Sequence, residues 1–219
     1  MVYPFAMSTR IFLVRHGATS LTAADRFAGS TEVPLSSEGR QQIAKLAERL
    51  RGVEVDAFYA SPLQRAVETA SILAAPHGLQ PVTEPALREI DYGHWEGLTR
   101  SEVKIGFRDE YATWEEDPLT IAPLGGESGI NVLNRALPAI RRIVEQHSQR
   151  CVVVVAHKGI NRLLISSLLG LDARAYRDRL DQSPAALNIL DFRTDARARL
   201  RLFNDISHYA AVPVFVPKT

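Results

Sequence analysis

The chain has 219 residues, 46% of them apolar, and its 26 Lys plus Arg nearly balance 25 Asp plus Glu for a formal charge of +1. That apolar share excludes a disordered chain, and the near-zero charge excludes the broad basic footprint of a nucleic-acid binder. No apolar run approaches the roughly 20 residues of a membrane-spanning helix. The lone Cys151 can form neither an internal disulfide nor a thiolate metal site, and the first residues lack the charge and length of a signal peptide. The expectation is a cytoplasmic single domain over residues 1–219, with tails at 1–8 and 210–219. It is a monomer or homodimer with no nucleic-acid and no membrane partner.

Ile11, Phe12, Leu13 and Val14 stand in a row between Arg10 and Arg15, the pattern of a strand covered on both faces. From Ser36, Ile43, Leu46, Ala47 and Leu50 fall at helical spacing until Gly52. Val55 to Ala60 reads as a second strand. Ser61-Pro62-Leu63-Gln64 then reads as a helix start, with Ser61 as N-cap, Pro62 as the first helical residue and Gln64 as the reciprocal capping partner. That helix is expected to reach about Ala75, before Pro76 and Gly78.

After Gly125-Gly126 a helix is predicted from about Ser128 to His147, kinked or divided by Pro138. Val152 to Ala156 is the most apolar strand, and a helix follows from about Gly159 to Leu169, stopped by Gly170. Ala186 to Phe192 and Leu200 to Asn204, split by a turn at Thr194-Asp195, read as a final strand pair. Strands alternating with helices imply an α/β layered fold with a mostly parallel sheet. In such folds ligands sit beyond the carboxyl ends of the strands.

Three strand ends carry unusual chemistry: Arg15-His16-Gly17, Ser61-Pro62 with Arg65 one turn later, and Ala156-His157-Lys158-Gly159. Arg65 in the first turn of a helix meets the positive end of the macrodipole, which costs about 0.3–1 kcal/mol. A solvated arginine is the ordinary explanation for one such residue. Beside a second Arg and two His, an anion held between them explains it better, because the guanidinium fork matches two phosphoryl oxygens. A lone His16 reads as a core histidine; flanked by Arg15 and Gly17 it reads as a nucleophile toward phosphorus, given a fixed tautomer. His157 sits at a strand-to-helix switch, where backbone N–H groups point at an anion. In the stretch Leu87 to Gly97, Glu89, Asp91 and Glu96 are all candidate proton donors, or ion-pair partners of Arg88, and chemistry alone does not choose among them.

This ordered set resembles the histidine phosphatase superfamily. The resemblance rests on Arg15-His16-Gly17-Ala18-Thr19, on Gly29 through Pro34-Leu35-Ser36 with Gly39 and Gln42, and on Ser61-Pro62-Leu63-Gln64-Arg65-Ala66 with Thr69-Ala70. The LREIDYGHWEGLT stretch, Gly125-Gly126-Glu127-Ser128 and Ala156-His157 complete it, over roughly residues 10–170. It implies a phosphoglycerate mutase-like three-layer α/β/α fold, with His16 attacking the phosphoryl group to give a phosphohistidine. Arg15, Arg65 and His157 would hold the equatorial oxygens. Glu89 would protonate the leaving oxygen and then activate water, so a poorly solvated Glu89 is expected. Gly17, Thr19, Thr22, Gly29, Lys158 and His208 are further candidate substrate contacts. No metal and no cofactor is implied, because phosphoryl transfer needs mainly positioning and charge, and the partner is a small phosphorylated substrate.

Three positions depart from the family pattern. Thr22 stands where Asn is frequent, Ala28 where Gln or Thr precedes the glycine, and Lys158 where Gly follows the histidine. The short stretch from Gly97 to Gly126 and the GHWEGLT wording resemble the phosphatase branch. The activity implied is phosphomonoester hydrolysis. The alternatives are a phosphoglycerate mutase or an inactive phospho-ligand binder. The segment Ser101 to Pro118, with Phe107, Tyr111, Trp114 and Glu115-Glu116-Asp117, reads as an amphipathic helix capping the core, with a substrate-selecting lid as the alternative.

Overall fold

The computed structural model describes residues 8–193 and 197–210. The expected tails fall almost entirely outside these residues, and the Thr194-Asp195 turn lies outside them. Strand β1 (Thr9–Arg15) sits inside a six-stranded sheet with β2 (Ala57–Ala60), β3 (Val82–Thr83), β4 (Cys151–Ala156), β5 (Leu187–Phe192) and β6 (Ala198–Asp205). The order is β3-β2-β4-β1-β5-β6. The first four strands of that order run parallel, and β5 and β6 pair antiparallel at the other edge.

The Ile11–Val14 run of strand β1 is apolar because both of its faces are covered. Ile11 and Leu13 join Val152 and Val154 against helices α6 (Gly129–Gln146) and α7 (Lys158–Leu168). Phe12 and Val14 join Val153 and Val155 against α2 (Ser37–Leu50) and α3 (Gln64–Ala74). These two cores make the three layers. A third cluster, Phe27, Trp95, Val103, Tyr111 and Trp114, lies under the short helices α4 (Arg100–Gly106) and α5 (Arg108–Glu116). The segment expected as one amphipathic helix is therefore two, burying Val103, Tyr111 and Trp114 and exposing Glu115 and Glu116. The remaining α-helices are α1 (Ser20–Ala23), capped by Thr19, and α8 (Tyr176–Arg179).

Two local expectations are corrected. Helix α6 is not divided at Pro138. That residue is exposed, and so is Asn134 one turn before it; the carbonyl that loses its partner there lies on the solvent side. Ser61 is not the cap of α3, which begins at Gln64 with Leu63 in the capping position and no side-chain cap bond. The Gln64 N–H donates instead to the Glu32 carboxylate at 2.8 Å, while the Ser61 hydroxyl accepts from the Leu63 N–H at 3.4 Å and has a second, shorter contact described below.

Candidate active site

Parallel register brings the three strand ends to one rim. Arg15 pairs with Ala156, and Ala60 with Val155. The His16 N–H donates to the Ala156 carbonyl at 3.1 Å and the Ser61 N–H to the Val155 carbonyl at 3.0 Å. His16, Ser61 and His157 therefore leave the sheet side by side, and the rings of His16 and His157 lie 5.1 Å apart between centroids. A cleft of about 310 Å³ opens above them, lined by Arg15, His16, Thr19, Thr22, Gly29, Arg65, Glu89 and Lys158 among others.

His16, Arg15 and Arg65 are held by main-chain carbonyls, and His157 by side chains. His16 Nδ1 lies 2.7 Å from the Gly17 carbonyl. A carbonyl only accepts, so Nδ1 carries the proton and Nε2 keeps its lone pair. Burial, with Arg15 and Arg65 close by, holds this imidazole well below its ordinary range, so it is neutral. Arg65 is 1% exposed, which removes the reading as a solvated arginine. It donates to the Gly29 and Thr31 carbonyls at 2.7 and 2.8 Å and, through Nε, to His157 Nδ1 at 3.2 Å. His157 Nε2 then carries the proton and donates to Ser61 Oγ at 2.7 Å. His157 is wholly buried, and that burial, with Arg65, His16 and Arg15 near, also keeps it neutral. Arg15 donates to the Gln182 carbonyl at 2.6 Å, while its buried Nε has no partner among the described residues; burial pushes it down to about 10.

The three candidate carboxylates separate cleanly. Glu89 is 8% exposed and lines the cleft, as expected of a poorly solvated group. Its Oε1 accepts from the Ile90 and Ile160 N–H groups at 3.0 Å each, and its Oε2 from Gly159 at 2.9 Å. The Gly159 and Ile160 N–H groups in the first turn of α7 are thus taken by Glu89 and are not turned toward a substrate anion. Asp91 caps the Gly93 N–H at 2.8 Å. Glu96 grips the loop that carries Gly29, accepting from the Ser30 N–H at 2.6 Å and from the Thr31 hydroxyl. Gly29 has φ of +43°, and a Cβ there would lie 1.9 Å from Glu96 Oε1, so only glycine fits.

Three expected site residues do not line the cleft. His157, 0% exposed, is held beneath the lining between Arg65 Nε and Ser61 Oγ. Gly17 packs against α2, where a Cβ would sit 2.6 Å from the Gly39 carbonyl oxygen. His208 does not line the cleft; it stacks edge-on with Tyr209, whose hydroxyl donates to the Pro184 carbonyl. Burial and Arg49 push His208 down to about 4. The sequence reading also missed Ser61 as the partner of His157, and missed the cleft wall formed by Tyr92, Arg100, Arg162, Tyr176 and Arg177. Arg162 follows Lys158 by four residues in a predicted helix, so that spacing was an available signal. Arg177 lies in the segment where the family resemblance loosens.

A neutral imidazole aimed into a cationic cleft at the carboxyl rim of a parallel sheet defines a phosphoryl-handling enzyme. Comparison with known proteins places it within that class: residues 11–206 match the histidine phosphatase superfamily (branch 1), and the chain belongs to that superfamily. It is 32% identical over 163 residues to phosphoserine phosphatase 1 of Hydrogenobacter thermophilus, covering 74% of this chain and 77% of that one. It is 37% identical over 170 residues to glucosyl-3-phosphoglycerate phosphatase of Mycolicibacterium vanbaalenii, covering 74% and 75%. Among solved structures, a mycobacterial glucosyl-3-phosphoglycerate phosphatase in complex with VO3 superposes with a TM-score of 0.81 at 31% identity, covering 89% of this chain and 98% of that one. These relatives are named as phosphatases, which supports phosphomonoester hydrolysis over the mutase alternative.

Proposed function

We propose that this chain hydrolyses small phosphomonoesters through a phosphohistidine at His16, without a metal ion. The observation that carries the reading is the His16 ring itself: Nδ1 is tied to the Gly17 carbonyl at 2.7 Å, and Nε2 makes no hydrogen bond among the described residues. The Nε2 lone pair attacks phosphorus and the bond from phosphorus to the ester oxygen breaks. Glu89 gives its proton to the leaving oxygen, releasing the alcohol. The Glu89 carboxylate then takes a proton from water as that oxygen attacks the phosphohistidine. The P–N bond breaks, and inorganic phosphate and neutral His16 are restored.

Arg15 and Arg65 supply fixed positive charge to the phosphoryl oxygens. His157 is neutral and serves the phosphoryl group through Arg65, whose Nε it holds at 3.2 Å while its own Nε2 is fixed on Ser61 Oγ. Thr19 and Thr22 stand at the cleft edge as further donors. The single cysteine supports a reducing compartment, the cytoplasm, for a monomer or homodimer whose partner is its substrate. No helix among the described residues is long and apolar enough to cross a membrane.

Phosphate release from para-nitrophenyl phosphate tests the reading. The wild type is expected to turn over equally with and without a chelator, and His16→Ala to lose at least about a thousandfold. Full turnover by His16→Ala, or chelator inactivation reversed by added metal, overturns it.

A further inference from the structure

The cleft carries more positive charge than one phosphoryl group requires. Seven of its lining residues are Arg or Lys, and three are carboxylates: Asp25, Glu89 and Asp181. Glu89 is taken up by main-chain N–H groups, as described above. Arg15 and Arg65 account for the inner end. The surplus lies on the outer wall.

Lys158 and Arg162 sit one turn apart on one face of α7, where like charges are mutually unfavourable. Neither is a solvated surface cation. Arg162 is 8% exposed; its Nη2 donates to Asp181 at 3.0 Å, and its buried Nε has no partner among the described residues. The Asp181 side chain is itself 71% exposed, so this counter-charge is well screened. Lys158 is half-buried and makes no hydrogen bond or ion pair among the described residues. Burial, with Arg162, Arg15 and Arg100 nearby, pushes its ammonium down to about 8. Arg100 reaches the same cleft from the start of α4, stacked 5.4 Å over the Phe27 ring and 3.6 Å from the Asp25 carboxylate, whose side chain is 74% exposed. Lys158 has no carboxylate partner among the described residues and those of Arg162 and Arg100 are largely exposed and screened, so gathering these cations costs stability, and an anion brought by the ligand offsets that cost.

We propose that Lys158 and Arg162, with Arg100, form a second anion subsite in the cleft, so that the substrate is a phosphomonoester bearing a second anionic group, a carboxylate or a further phosphate. This rests on the hydrolytic reading above. The phosphoryl group to be cleaved lies over His16, and the second anion engages the α7 wall.

Matched substrates test it. In the carboxylate arm, kcat/KM for 3-phosphoglycerate is compared with that for glycerol 3-phosphate; in the phosphate arm, fructose 1,6-bisphosphate is compared with fructose 6-phosphate. The wild type is expected to favour the more anionic member of at least one pair by about ten- to a hundredfold. The arm that shows the preference identifies the second anion. Lys158→Met and Arg162→Met are expected to bring that ratio close to one, and Arg162→Lys to restore part of it. Lys158 has no partner to lose, so its variant keeps the test open if Arg162→Met fails to fold. A wild type that releases phosphate from all four esters with no preference, or a preference that survives both substitutions, overturns the subsite while leaving hydrolysis intact. Failure to release phosphate from any ester, para-nitrophenyl phosphate included, overturns the hydrolytic reading and the subsite with it.

Discussion

Glu89 holds its place because three main-chain N–H groups converge on its carboxyl group, two of them from the first turn of α7. The same helix that presents Lys158 and Arg162 to the cleft therefore also aims the proton donor. A donor matters most where the leaving oxygen is basic. Glu89→Gln is expected to slow alkyl phosphates by about 10²–10⁴-fold, the usual contribution of a positioned acid. The nitrophenolate burst from para-nitrophenyl phosphate should fall far less, because that leaving group departs without a proton. Equal losses with both ester types would remove Glu89 from the role of leaving-group acid. Glu96 shows why chemistry alone could not choose among the carboxylates: it is the same residue type as Glu89, yet it holds Ser30 and Thr31 and, unlike Glu89, does not line the cleft.

Helix α6 carries Pro138 on its exposed face without being divided. A proline there forfeits one main-chain bond, so Pro138→Ala is expected to raise stability by roughly 1–3 kcal/mol, net of proline's restriction of the unfolded chain. Urea unfolding measures it; an unchanged or lower midpoint would show that the helix gains nothing from restoring the bond. The elements most legible in the sequence are those with two covered faces or a side-chain cap. Strands β1 and β4 are continuous apolar runs, and α2 announces itself through Ser36, whose hydroxyl accepts from the Gly39 N–H. Strand β3 was missed because Val82 and Thr83 are both exposed at the sheet edge and carry no burial pattern. The start of α3 was misplaced because the Ser61 hydroxyl, which local rules assign to a cap, is shared between a long 3.4 Å contact with the Leu63 N–H and a 2.7 Å bond to a histidine 96 positions away. The inner site was legible because its residues cluster in short motifs at strand ends. The outer wall was not, because Arg100, Arg162 and Arg177 meet only through packing between distant segments.

At the scale of the whole molecule, a formal charge of +1 conceals a strongly cationic cleft around two buried, neutral histidines. Burial among cations holds both His16 and His157 well below the ordinary histidine value of 6.5. In the unfolded chain each binds a proton as the pH falls below 6.5, while in the folded chain each stays neutral, so stability is lost on acidification. The slope is about 1.4 kcal/mol per pH unit for each group in that window. Unfolding of the ligand-free protein between pH 6.5 and 5.5 should show this loss, with His157→Asn removing about half of the histidine contribution; identical slopes in the two proteins would contradict it. The chemistry itself is tested most directly by trapping the covalent intermediate. Acid-free quenching during turnover of a phosphomonoester, followed by peptide mass spectrometry, should find an acid-labile, alkali-stable phosphate on His16. A protein that turns over under the same conditions with no phosphate on His16 would contradict the account.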